Sequence, residues 1–166
     1  MKKIRVLVVD DSIVFREVLA RGISSDPYIE VVATASDPFD ARDKIIKYEP
    51  DVMTCDIEMP KMNGIEFVKR LIPQYPIPVI MVTTVSGAVF EAIKVGAVDF
   101  VTKPDVGSPK NVKDFIYEMI QKVKIASVAR VGLGNNRRVV SKVSRHVKHQ
   151  TDTKIIAIGA STGGTE

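Results

Sequence analysis

Five short apolar runs alternate with stretches of helical period over the first 125 residues, and this alternation limits the fold more than any other feature. The runs are Ile4–Val9, Ile29–Ala35, Val52–Cys55, Val79–Val82 and Val98–Val101. Strands that are apolar at nearly every position, not at every second one, are buried on both faces. Between them, Phe15, Leu19 and Ile23 repeat at four. Ala41, Ile45 and Tyr48 follow four-then-three, and Ile65, Val68 and Ile72 follow three-then-four. Val89, Ala92, Ile93 and Gly96 form a narrow stripe. Val112, Phe115, Met119, Ile120 and Val123 mark a last helix. Pro38, Pro60, Pro73, Pro76, Pro78 and Pro104 fall at element edges. Five β-α units with right-handed crossovers predict an α/β fold, an open, doubly wound parallel sheet of order 2-1-3-4-5. In that order strands 1 and 3 are neighbours, and a ligand site lies at their carboxyl ends.

Polar residues gather at those ends. Asp10 and Asp11 follow strand 1, Asp56 follows "VMTC" at strand 3, Thr83 and Thr84 end strand 4, and Lys103 follows strand 5. Two unit charges about 5 Å apart at an effective dielectric near 20 repel by roughly 3 kcal/mol. Three such pairs approach ~10 kcal/mol, comparable to the stability of a whole domain. Either some carboxylates are protonated or a cation sits among them. Oxygen-only ligands with room for water suit Mg²⁺ or Mn²⁺ better than zinc. An acidic pocket with a nearby lysine also suits phosphoryl chemistry, in which a carboxylate is itself the nucleophile. Asp56 is the better nucleophile candidate, because Asp10 and Asp11 are paired and committed to the metal. The plainer role of an acid in this place is a helix cap, open to Asp11 and to Ser12. Cys55 reads as a small buried residue, not a reactive thiol.

Composition narrows the class. The chain has 166 residues, 45% of them hydrophobic and 27% charged, with a single cysteine and no tryptophan. One cysteine forms no internal disulfide and fits a reducing, cytoplasmic setting. No apolar run is long enough for membrane insertion. The N-terminal "MKKIRVLVVDD" imitates a signal peptide, but its apolar run breaks at Asp10 with no cleavage site. Residues 1–125 carry 17 Lys and Arg against 18 Asp and Glu, net −1, whereas residues 126–166 carry 7 against 2, net +5. The basic character therefore belongs to the tail and does not make the domain a nucleic-acid binder.

The stretches "VVDDS", "CDIEMPKMNG", "PVIMVTT" and "DFVTKP" resemble the receiver (phosphoacceptor) domain of two-component response regulators, over residues 1 to about 125. The resemblance implies a flavodoxin-like fold and a histidine kinase as phosphoryl donor. It implies that Asp56 is the phosphorylated residue and that Asp10 and Asp11 are the acidic pair, with Asp11 and Asp56 binding Mg²⁺ directly and the Glu58 backbone carbonyl completing the protein ligands. Thr83 would bond the phosphoryl group in the active state, Lys103 would pair with its oxygens, and Lys103–Pro104 would be a cis peptide. Phe100 stands where many receivers carry the switch tyrosine and offers no hydroxyl. Asn63 stands before Gly64 where aspartate is frequent, and it can still cap a helix. In the expected switch, a phosphoryl group adds nearly two negative charges, draws Thr83 inward and frees space for Phe100.

Residues 126–152 hold six Arg and Lys before their first acid, Asp152, and read as a basic flexible linker. "KIIAIGASTGG" then starts a new strand at residues 153–166, with a G-x-S-x-G pattern centred on Ser161. A receiver, a basic linker and this segment together resemble the chemotaxis protein-glutamate methylesterases. That resemblance implies that Ser161 matches the nucleophile of a serine esterase that demethylates and deamidates chemoreceptor glutamyl side chains. The partners it implies are a chemotaxis kinase, the protein's own methylesterase domain and, through that domain, chemoreceptor cytoplasmic regions. The histidine base and acid that such a serine needs are not supplied, since His146 and His149 lie in the linker. The expectation is a regulatory domain with an incomplete catalytic domain, in which Ser161 is inert and only self-phosphorylation and dephosphorylation are catalysed. Competing readings are a stand-alone receiver that acts by protein binding and a receiver with a DNA-binding output. The linker lacks interleaved aromatics and a helix-turn-helix pattern, which weighs against the second.

Overall fold

The structure is a computed structural model that describes residues 1–147, with side chains through residue 129. The strands are β1 (Ile4–Val9), β2 (Ile29–Ala35), β3 (Val52–Asp56), β4 (Val79–Thr83) and β5 (Asp99–Thr102). The helices are α1 (Ile13–Ser24), α2 (Pro38–Tyr48), α3 (Gly64–Leu71), α4 (Val89–Lys94), entered through a 3-10 turn at Ser86–Ala88, and α5 (Pro109–Val147). The strands pair in the order β2-β1-β3-β4-β5, all parallel, as the alternation required.

Side chains on successive strand residues point to opposite faces, so each strand feeds two cores. Val6, Val8, Val52, Ile80, Val82 and Val101 pack under α1 and α5, against Phe15, Leu19, Ile23, Phe115, Met119 and Val123. Leu7, Val9, Met53, Cys55, Val79 and Met81 pack under α2, α3 and α4, against Ala41, Ile45, Phe67, Val68, Leu71 and Ala92. On the first face α1 and α5 come close at Gly22, where a Cβ would collide with the Ile116 side chain.

Local chemistry starts the helices where the sequence places them. Ser12 Oγ accepts the Phe15 N–H at the start of α1. Asp37 accepts from Phe39 and Asp40, with Pro38 in the first turn of α2. Asn63 accepts from Ile65 and Glu66 and does cap α3. Each cap satisfies N–H groups that have no partner within the helix.

Four expectations need correction. The α3 face that is buried is Gly64, Phe67, Val68 and Leu71, whereas Ile65 and Ile72 are only partly covered. In α4 only Ala92 is buried, and Ile93 is exposed. β5 runs from Asp99 to Thr102, one residue later than expected, and Val98 before it is exposed, its N–H donated to the Val79 carbonyl. The last helix does not end near Val123. Ala126 is buried in the core under α1 and α5, one compact unit covers Met1–Arg130, and α5 runs on to Val147, within the span 126–152 read as a basic flexible linker. No proline after Pro109 interrupts the helix, and its scattered valines and two glycines do not stop it. Residues 148–152, His149, the expected strand at 153–166 and Ser161 lie outside the described residues. Among the described residues no helix is long and apolar enough to cross a membrane.

Candidate functional site

Strand register assembles the site. Val9 pairs with Cys55, so one step further along each strand Asp10 and Asp56 stand side by side. β4 pairs Thr83 with Thr102, and the next residue, Lys103, donates its N–H to the Thr83 carbonyl. Two acids and a lysine from three strands therefore converge at the carboxyl edge of the sheet, where strand order reverses direction. Asp11 follows Asp10 into the turn and is exposed, whereas Asp10 and Asp56 are only 1% and 2% exposed. Carboxylate oxygens of Asp10, Asp11 and Asp56 lie within 4.8 Å of one another.

Lys103 separates the two buried acids. Its Nζ is 2.9 Å from Asp10 Oδ2 and 3.3 Å from Asp56 Oδ2. Asp10 is otherwise fully engaged: its Oδ1 accepts the Ser12 N–H at 2.8 Å, and its carbonyl accepts Arg16 Nη1 at 2.7 Å. Asp56 is held less firmly, with only the Glu58 N–H at 3.3 Å on its Oδ1. Burial and then the charge of Asp10 push the Asp56 carboxyl up to about 6, and Lys103 and the Glu58 N–H do not offset them. Burial works against the Lys103 charge, but bonding to Asp10 and Asp56 overcomes it and holds the ammonium above its usual value. Of the two buried carboxylates at the sheet edge, Asp56 thus has the longer and weaker hydrogen bonds.

Three carboxylates and one ammonium leave the cluster net negative. Its donors are all oxygen, and one side is open to solvent at Asp11. This donor set fits a hard divalent ion that keeps part of its water shell. Glu58 lies beside it, its N–H on Asp56 and its carboxylate accepting from Thr84 Oγ1 at 2.8 Å.

The other expected residues are placed as follows. Thr83 is buried, and its hydroxyl is closed on the next turn, accepting the Val85 N–H at 2.9 Å and donating to the Val85 carbonyl at 3.1 Å. Phe100 is partly buried against the core under α4, and Lys122 Nζ stands 5.2 Å from its ring centre and 2.7 Å from its carbonyl. The Cys55 thiol is pushed up by burial and by Asp56 and Asp10, and so is inert, as expected. The peptide bonds are all trans among the described residues, so the expected cis Lys103–Pro104 bond is corrected. A trans X-Pro bond is the more stable form by about 0.5–1 kcal/mol.

Sequence reasoning missed Phe15, Arg16 and Lys122 as neighbours of the site, since each reaches it from a helix face. It also missed why glycine follows Asn63. A Cβ at Gly64 would overlap the carbonyl oxygen of Asp56, and the Gly64 N–H donates to the Ile57 carbonyl at 2.8 Å. The start of α3 thus packs directly on the backbone of the reactive acid.

The chain is similar to known proteins in sequence and in fold. Over its full length the chain is 58% identical to a protein-glutamate methylesterase/protein-glutamine glutaminase 2 of Syntrophomonas wolfei, of which it covers 48%. It is 41% identical to the corresponding protein of Salmonella typhimurium, again covering 48%. The chain spans about half the length of these curated relatives. Among solved structures it is similar to the response regulator domain of Thermotoga maritima CheB, with a TM-score of 0.69, 43% identity and coverage of 76% of this chain and 97% of that one. It is also similar to the chemotaxis response regulator CheY4 of Vibrio cholerae, with a TM-score of 0.62, 32% identity and coverage of 74% and 99%. Residues 6–111 match the response regulator receiver domain, and the chain belongs to that family.

Proposed function

We propose that Asp56 accepts a phosphoryl group and that this controls a methylesterase and glutaminase activity in a chemotaxis pathway. The observation that carries the reading is the state of Asp56: buried, bonded at longer distances than Asp10, and 3.3 Å from the ammonium of Lys103. In the transfer, Asp56 Oδ forms a bond to phosphorus while the bond to the donor's leaving group breaks and that group departs with the electron pair. Lys103 stays charged and moves its attraction from the carboxylates to the phosphoryl oxygens. Asp10 keeps its own N–H bond from Ser12 beside the site. Asp11 and Asp56, with Asp10 and the Glu58 carbonyl, would hold Mg²⁺ or Mn²⁺, whose chemistry when bound is to neutralise phosphoryl oxygens.

The switch proceeds through Thr83. Its hydroxyl has two bonds to the Val85 backbone, and a phosphoryl group on Asp56 offers a charge-assisted bond in exchange. Movement of Thr83 leaves room for Phe100, which lies between the core under α4 and Lys122. The likeness to methylesterase/glutaminases over the full chain supports a donor kinase of a chemotaxis system, a methylesterase domain as the controlled partner, and Ser161 as that domain's nucleophile.

Incubation with Mg²⁺ and acetyl phosphate, followed by intact mass, is expected to show one added phosphoryl group that is absent in Asp56→Asn. Absence of the adduct in wild type, or its persistence in Asp56→Asn, overturns the assignment. In a full-length relative, acetyl phosphate should raise the hydrolysis of receptor methyl esters, and Asp56→Asn should remove that stimulation.

A further inference from the structure

Lys103 has a third neighbour. Its Nζ lies 4.3 Å from the ring centre of Phe15. Phe15 is a buried α1 residue, and the Phe115 ring of α5 backs it at 5.3 Å, tilted by 59°. The contacts close a circuit. Ser12 N–H donates to Asp10 Oδ1, Ser12 Oγ accepts the Phe15 N–H, the Phe15 ring faces Lys103, and Lys103 donates to Asp10 Oδ2.

We infer that Phe15 is a positioning residue for the phosphoryl-transfer site, acting through Lys103. The inference rests on Asp56 being the phosphoryl acceptor. An ammonium has three N–H donors, and two of these go to Asp10 and Asp56. With the Lys103 side chain only 16% exposed, water has little access to the rest of the charge. An aromatic face attracts a cation without a directional bond. A carbonyl in the same place would pin the ammonium, and an aliphatic side chain would offer it no attraction. The ring instead holds the ammonium between the acids and lets it slide from Asp10 towards new oxygens on Asp56. Phe115 packs against that ring, and the ring that faces the lysine is Phe15.

The test compares Phe15→Leu, Phe115→Leu and replacement of Phe15 by trifluorophenylalanine, which nearly keeps the ring's shape while flattening its charge distribution. Two quantities are measured on the full chain: the NMR shift of the Lys103 ε-protons and the rate of phosphorylation by acetyl phosphate with Mg²⁺. The ε-protons should lie upfield in wild type and return to ordinary positions in Phe15→Leu. Phosphorylation should slow by roughly three- to thirty-fold in Phe15→Leu and in the same direction in the fluorinated protein. Phe115→Leu should lose stability but keep its rate within about two-fold, because the ring that faces the lysine is Phe15. Wild-type rates in Phe15→Leu or the fluorinated protein overturn the inference, as do equal losses in the two leucine variants. A wild type that takes no phosphoryl group overturns the reading of Asp56 instead, and the ε-proton shifts still decide whether the ring holds the ammonium.

Discussion

Helices α1 and α4 flank the same sheet edge but are attached to it very differently. α1 buries Phe15, Leu19 and Ile23, is capped by Ser12, and carries Arg16 to the Asp10 carbonyl. α4 is six residues long, has no side-chain cap, buries only Ala92, and leaves Phe90 78% exposed. Asp10 is bonded to Ser12 and Arg16 at the start of α1 and Lys103 faces Phe15, whereas Phe100 packs against the core that includes Ala92. Chemistry needs fixed distances, and a signal needs a part that can shift at small free-energy cost. The fold separates the two by giving one helix three buried anchors and the other a single methyl group.

The largest expected effect is a direct measure of that difference. Leu19→Ala removes a buried side chain from α1 and should cost about 2–5 kcal/mol in urea denaturation. Phe90→Ala on α4 should change stability by less than about 0.5 kcal/mol, because the ring is already in solvent. Similar losses at the two positions would remove the distinction between an anchored and a loosely held helix.

A second prediction concerns the strain kept on the anchored side. The Asp56 carboxyl titrates near 6 in the folded protein against 3.8 when unfolded, so the folded state binds the proton more tightly. Below the unfolded value both states are protonated and there is no penalty. As pH rises from about 4 to 6 the ionised form increasingly destabilises the fold, and above 6 the penalty is complete, on the order of 2–3 kcal/mol. With EDTA present, Asp56→Asn should therefore be more stable than wild type by that amount at pH 7.5, and the gain should vanish near pH 4. Added Mg²⁺ should narrow the gap by stabilising wild type alone. A variant no more stable than wild type at pH 7.5 would show that Lys103 already compensates the buried charge.

The same contrast explains what the sequence made readable. β1 and β2 match their apolar runs residue for residue, and β3 and β4 run one residue further, into Asp56 and Thr83. Long apolar runs have one outcome in a sheet covered on both faces. The convergence of Asp10, Asp56 and Lys103 was also legible, because strand order alone brings strand ends together. α4 was not, since a stripe of Val89, Ala92 and Ile93 looks like a buried face, and only the packing shows that Ala92 alone reaches the core. The α3 stripe was misread by one position, because Phe67 and Leu71 fit a helical period as well as Ile65 and Ile72 do. The contact of Phe15 with Lys103 joins positions 88 residues apart and leaves no local pattern.

The smallest prediction decides on which side of the division β5 lies. Lys122 of α5 donates to Asp99 Oδ1 at 3.0 Å and to the Phe100 carbonyl at 2.7 Å, and stands over the Phe100 ring. Its neighbour Lys124 pairs with Asp26 at 2.7 Å, so α5 itself is tied to the turn after α1. Lys122 therefore attaches the start of β5 to the anchored half of the molecule, although the ring of Phe100 leans into the other core. Lys122→Met keeps most of the aliphatic stem and removes the charge. It should cost about 1 kcal/mol, the usual worth of a partly buried charged hydrogen bond. The NMR signals of Phe100 should broaden or shift while those of Lys103 stay in place. If instead the Lys103 signals move as far as those of Phe100, β5 transmits between the halves as a rigid strand, and the loose half would begin only at α4.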